Sequence, residues 1–183
     1  MIPKKISVPV AVFGASLIVA VAAGLTVNGL GVNPANAEAA ADEMPSIAED
    51  FSYPEPAKVL AEHGVKLTSG NGKIDIADCA APPVGDIGLI EVYTTDITVN
   101  GDGAVCFRVL GVPGLLNMEV PAVFEIRGDG RRSGTGHDIT ATIRPEGAQA
   151  TTVEVDPDGS TQVGIGTDPP GAPTTLLQLK VTG

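Results

Sequence analysis

From Val65 to the C-terminus the apolar residues recur with a period of two, the spacing of a strand that buries one face. Val65 and Leu67 alternate with Lys66 and Thr68, and Ile74 and Ile76 alternate with Lys73 and Asp75. Between them stands Ser69-Gly70-Asn71-Gly72, whose last two residues tolerate the positive φ of a tight hairpin turn. Leu89 to Val99 is β-rich, but its apolar phase slips from Ile90 and Val92 to Ile97 and Val99. A one-residue slip moves later side chains to the other face, so a bulge or break is expected near Thr94-Thr95-Asp96. A second turn, Asn100-Gly101-Asp102-Gly103, precedes Val105, Phe107 and Val109 on one face. Leu116, Met118 and Val120 form the next face, and Pro121 marks an edge or bulge before Phe124 and Ile126. Ile139, Ala141 and Ile143 follow. Val153 and Val155, then Val163 and Ile165, flank the turn Asp156-Pro157-Asp158-Gly159. Leu177, Leu179 and Val181 close the chain.

Upstream of this region Tyr53 to Gly64 reads as a helix. Proline stands at its start, an acid lies in the first turn, and Gly64 supplies a left-handed stop. Val59, Leu60 and His63 share a face, and His63 near the helix end reads as a surface or half-buried residue rather than a ligand. With no second helix to serve as a parallel crossover, the strands should be antiparallel. The expectation is an all-β fold: an antiparallel sandwich or barrel of about eight to nine strands with one short N-terminal helix.

The segment before the helix has a different character. Lys4 and Lys5 give a basic start, Val8 to Val27 is apolar, and Ala35-Asn36-Ala37 offers the small residues of a cleavage site. That is the pattern of a secretory signal peptide over residues 1–37, cleaved after Ala37, with an uncleaved membrane anchor as the alternative. Residues 38–50 contain five acids and no base, and are expected to be a flexible acidic lead. Residues 51–183 then form a single β domain. Export places Cys79 and Cys106, the only cysteines, where thiols oxidise, so one disulfide is expected. The spacing leaves open whether it ties two sheets or two neighbouring strands.

All 22 acids and nine of the 11 lysines and arginines lie beyond residue 37, and 17 of the acids lie beyond residue 50. Residues 51–183 therefore carry a formal charge of −8. Too few cations are available to displace counterions from phosphates, which argues against nucleic-acid partners. Anionic membranes are disfavoured for the same reason, beyond the signal segment itself. The charge suits a soluble monomer. The chain has no Trp, and four Phe and two Tyr leave little for stacking sugars or bases.

Motifs for chemistry are sparse. Two histidines and a bonded cysteine pair do not supply a zinc or copper site, and no metal or cofactor is expected. Asn100, Asp102, Asp156, Asp158 and Asp168 put oxygens in turns, but none follows the twelve-residue calcium loop. Residues 130–138 bring Ser133, His137 and Asp138 together, the residue types of a triad. Adjacent residues rarely aim at one another, however, and three glycines read as a flexible hairpin loop. Arg131-Arg132 in that loop is the one dibasic pair of residues 38–183, and with His137 it forms a possible contact loop or a protease-sensitive tip. Paired carboxylates for hydrolysis depend on three-dimensional separation and are not legible in one dimension.

Several segments carry a family resemblance. They are Asp50-Phe51-Ser52-Tyr53-Pro54, Val59 to Leu67, Gly70 to Ile74, Ala77-Asp78-Cys79, Cys106-Phe107-Arg108-Val109 and the ending Leu177 to Gly183. Together they resemble small secreted proteins of actinobacteria described as hypothetical secreted proteins. The resemblance implies export and one disulfide, and brings no activity or catalytic residue. The functional expectation is an exported non-enzymatic β-sandwich domain that binds a protein or cell-wall component. The alternatives are an extracellular hydrolase using acidic residues and a secreted protease inhibitor.

Overall fold

A computed structural model describes residues 51–183, so the expected signal peptide and acidic lead lie outside the described residues. Helix α1 spans Pro56–His63 with proline in its first turn. Glu55 is the capping residue, at φ 47°, so the acid expected in the first turn stands just before it. Gly64 adopts φ 67° and its N–H returns to the Leu60 carbonyl at 3.0 Å. A Cβ there would also sit 2.5 Å from the Thr98 carbonyl oxygen, so both backbone conformation and packing require glycine. Val59 is buried, whereas Leu60 is 50 % exposed: the docking face is narrower than expected.

Nine strands follow: β1 Lys66–Gly70, β2 Ile74–Ala77, β3 Ile90–Thr94, β4 Ala104–Val109, β5 Gly114–Arg127, β6 Asp138–Pro145, β7 Thr151–Val155, β8 Ser160–Gln162 and β9 Thr174–Thr182. All pair antiparallel in one sheet of order β2-β4-β3-β5-β9-β6-β7, with β1 and β8 also paired to β5. The all-β antiparallel class therefore holds. Its axis is β5, whose first half pairs with β1 and β9 and whose second half pairs with β3 and β8. The change of partners falls at Pro121 and Ala122. Ala122 has φ 50°, and the β9 register shifts on either side of Val120. The expected bulge is thus inside one continuous strand, and it changes the phase beyond it. Val123 and Ile126 are buried, while Phe124 is half-buried and packs against Tyr93 with ring centroids 6.4 Å apart.

Three other expectations are corrected. Asn71-Gly72 turns the chain, with Gly72 at φ 71°, but makes no hairpin: β1 pairs with β5 and β2 with β4. The Asn71 carboxamide explains the split, since Nδ2 donates to the Pro113 carbonyl at 2.8 Å and Oδ1 accepts the Leu115 N–H at 3.0 Å. It anchors the turn to the β4–β5 connection. The break expected near Thr94-Thr95-Asp96 is present, but the chain beyond it, residues 95–99, is not strand. The ladder breaks between Tyr93 and Thr94, Val99 is buried and Ile97 is 71 % exposed. Finally, Val163 leads into a 3-10 turn at Gly164–Gly166, with Gly164 at φ 53°, and the buried face of β9 is Leu176, Leu179 and Val181. Leu177 is passed over where Thr142 pairs with Gln178 and Ile143 with Leu176, a bulge that residue spacing alone conceals.

The buried side chains form one cluster that includes Leu67, Ile74, Val92, Phe107, Met118, Ile139 and Leu179. Each contributes on the order of 1.5–3 kcal/mol by leaving water. Cys79 and Cys106 are bonded, with Cα atoms 5.2 Å apart. Ala77 lies opposite Cys106 in the ladder, so the bridge joins neighbours β2 and β4. No helix among the described residues is long and apolar enough to cross a membrane.

Candidate functional site

Three connections meet at one end of the sheet: residues 86–89 before β3, 128–137 between β5 and β6, and 156–159 between β7 and β8. Their main chains are bonded to one another. Gly88 N–H donates to the Asp129 carbonyl at 2.6 Å, Arg131 N–H to Asp86 at 3.0 Å, Gly130 N–H to Pro157 at 2.8 Å and Gly128 N–H to Gly159 at 3.1 Å. The Pro157 carbonyl oxygen is enclosed so closely that a Cβ on Gly128, Gly130 or Gly136 would approach it to 2.2, 2.8 or 2.5 Å. These glycines serve close approach, not mobility. The loop expected to be flexible is pinned to its neighbours.

Its tip is a tight turn from Arg132 to Thr135. The Thr135 N–H donates to the Arg132 carbonyl at 3.0 Å, and its hydroxyl donates to the same carbonyl at 2.7 Å. The Gly134 N–H donates to the Asp158 carboxylate, which ties the tip to the β7–β8 turn.

Ser133, His137 and Asp138 are not assembled. Ser133 is exposed at the tip, and Asp138 opens β6 opposite Thr182. His137 bonds instead to Asp129: the ring Nδ1 donates to Oδ2 at 2.6 Å and the main-chain N–H to Oδ1 at 2.9 Å. The Asp129 side chain is 0 % exposed and that of His137 24 %. Because the carboxylate accepts from Nδ1, the neutral ring keeps Nε2 as its free acceptor. Sequence reasoning missed Asp129. The available signal was an acid between two glycines, since glycines mark close main-chain approach and an acid enclosed there needs a donor.

Arg132 Nε lies 3.2 Å from Asp86 Oδ1, with both side chains well exposed at 76 % and 43 %. Arg131 makes no ion pair among the described residues. It lines a cleft of about 290 Å³ with Leu89, Glu91, Arg127, Asp129, Asp158 and four glycines. Glu91 accepts from the Tyr93 hydroxyl at 2.6 Å and lies 3.7 Å from Arg127 Nη1. That hydrogen bond, then burial and the Glu91 charge, pushes the Tyr93 hydroxyl above its ordinary range.

Elsewhere the polar groups do structural work. His63 Nδ1 lies 2.7 Å from Asn100 Oδ1, and Asn100 Nδ2 donates to the Ala104 carbonyl at 2.7 Å. Asp102 accepts the Ala104 N–H at 3.0 Å. No group of three or more His, Cys, Asp or Glu among the described residues is placed to hold a metal. A second cavity, of about 340 Å³, is lined by Phe51, Tyr53, Asn71, Ile74 and Asp75 among others. There the Tyr53 hydroxyl donates to Asp75, and burial, with that bond and the Asp75 charge behind it, pushes it up to about 12. No protein-family model matches the chain, and no curated protein matches it.

Proposed function

We propose that the chain is exported and acts outside the cytoplasm, or at the envelope, as a non-enzymatic β domain that binds a protein or cell-wall component. The observation that carries this reading is the pinned loop cluster at the end of the sheet. Its glycines and cross-loop hydrogen bonds hold the main chain under Arg131 and Arg132, so contact through them loses little conformational freedom. The Cys79–Cys106 bridge supports an oxidising destination. The acidity of residues 51–183 argues for a monomer and against nucleic acid. The test captures partners on the immobilised full chain from the producer's envelope and culture medium. Wild type should retain a component that Arg131→Glu/Arg132→Glu loses, and equal retention by both would overturn the loop cluster as the contact.

One observation favours a second reading, an extracellular hydrolase. His137 is oriented by an enclosed carboxylate, as a general base would be. A panel of ester, glycoside and peptide substrates decides: turnover that His137→Gln abolishes would establish the enzyme and displace the binding reading. The inhibitor alternative needs an extended loop to lie in a protease groove, and the tight turn at Arg132–Thr135 gives it no support. Incubation with trypsin should leave the native chain uncut at Arg131 and Arg132 and the protease fully active.

A further inference from the structure

We propose that the cleft beside Arg131 receives the free carboxyl end of a peptide, an inference that rests on the binding reading above and names the group the partner presents. Five charged residues line this cleft, with the Asp129 side chain itself enclosed behind it. Asp129 is bonded to His137, Glu91 to Tyr93 with Arg127 nearby, and Asp158 to the Gly134 N–H. Of the two cations, Arg127 is paired with Glu91, and Arg131 has no ion pair among the described residues. Its main chain is nevertheless anchored. The Arg131 N–H is bonded to Asp86, and its stem passes Gly88 so closely that a Cβ there would touch Cγ at 3.5 Å and Cδ at 3.6 Å. The stem thus runs along Gly88, and Arg131 reaches the cleft from an anchored backbone.

A planar guanidinium makes two parallel N–H bonds to a carboxylate, the pairing it forms best. The surrounding groups narrow the class of anion. Glu91 and Asp158 repel a doubly charged ion such as phosphate, but their oxygens can accept N–H donors. A peptide terminus carries one negative charge with amide donors directly behind it, so it matches both halves of the lining. The volume, about 290 Å³, lies at the low end of the ligand-pocket range of about 300–1,000 Å³, which suits a terminal residue or two. The net charge of residues 51–183 disfavours strongly acidic chains, so the carboxylate should arrive on a neutral or basic segment.

Triglycine, titrated into the 15N-labelled full chain, tests this. Saturable shifts are expected at the amides of Gly88, Gly128, Gly130 and Gly159, with a dissociation constant on the order of 1 mM for so small a ligand. Triglycine amide, which lacks the carboxylate, should shift nothing, and inorganic phosphate should bind more weakly than triglycine. Arg131→Gln should weaken binding by at least about tenfold, while Arg144→Gln, exposed on β6 and outside the cleft, should leave it unchanged. The idea is overturned if triglycine produces no saturable shift, if the amide binds equally well, or if phosphate binds better. Because the peptide comparison uses the unaltered chain, it stands even where a variant fails to fold. A captured partner that Arg131→Gln still retains would sink this proposal and leave the binding reading intact.

Discussion

The Asp129 side chain has no contact with solvent, and both of its oxygens take their hydrogen bonds from one residue, His137. Replacing His137 with Ala keeps the main-chain donor at Oδ1 and removes the ring donor at Oδ2. A buried charged acceptor left short of a donor costs about 1–3 kcal/mol, so the urea midpoint of His137→Ala should fall accordingly. Arg132→Gln removes an ion pair of two exposed side chains and should move stability by less than about 0.5 kcal/mol. Equal midpoints for the two variants would show that the enclosed pair does not hold the loop. Tyr53 gives a separate signature at alkaline pH. Its folded hydroxyl is held at about 12 against an ordinary 10.0, so the folded state keeps its proton longer than the unfolded one does. The stabilisation is complete below pH 10, declines above it and is lost through about pH 12. Stability measured across that window should fall more steeply for wild type than for Tyr53→Phe. Neither pairing was legible in sequence. His137 stood out as a candidate, but its partner lies eight residues back, and Tyr53 and Asp75 meet only because residues 51–53 run beside β1.

The alternating faces of β3 and β6 were legible because each buries every second residue, Ile90 and Val92 in one and Ile139, Ala141 and Ile143 in the other. What escaped were features that depend on a neighbour: the phase change at Ala122, the bulge at Leu177 and the turn that replaces a strand at Val163. Pairing partners escaped as well, since Asn71-Gly72 has a hairpin sequence and is diverted by the bonds Asn71 makes to the β4–β5 connection. β8 shows how little holds a short element. It has three residues, and Glu125 of β5 accepts from the Ser160 hydroxyl at 2.6 Å and from Gln162 Nε2 at 3.0 Å. Those bonds, Ser160 first, keep the Glu125 carboxyl below its ordinary 4.5. A depressed carboxyl contributes above 4.5 and stops contributing as pH falls through its folded value. Amide exchange at residues 160–162 should therefore rise on acidification, relative to the intrinsic rate at each pH, while β6 and β9 stay protected. Glu125→Ala should raise the same amides already at neutral pH, and an unchanged pattern would remove this account of β8.

Across the whole described region the ion pairs Lys66–Glu119, Arg127–Glu91 and Arg132–Asp86 are largely exposed, and each is worth about 0–1 kcal/mol. The charge of residues 51–183 thus bears on solubility and partners, while the apolar cluster and the disulfide carry the fold. β2 stands at one end of the sheet order with β4 as its ladder partner, and Cys79 lies just beyond it. The bridge to Cys106 spans 27 residues of chain, a loop that includes all of β3. Holding that loop closed in the unfolded chain stabilises the native state by about 3–4 kcal/mol on the chain-entropy account. A domain of this size has about 5–15 kcal/mol in total, so the bridge represents a large share. Cys79→Ala/Cys106→Ala, or reduction of the wild type, should lower the urea midpoint by the corresponding amount. The loss should begin at the edge: amides of Ile74 to Ala77 should exchange faster at denaturant concentrations where β5 and β9 remain protected. If the midpoint does not move, the unfolded chain is already compact around that loop. If β2 and β5 open together, the bridge stabilises the sheet as one unit and does not act as a clamp on its edge.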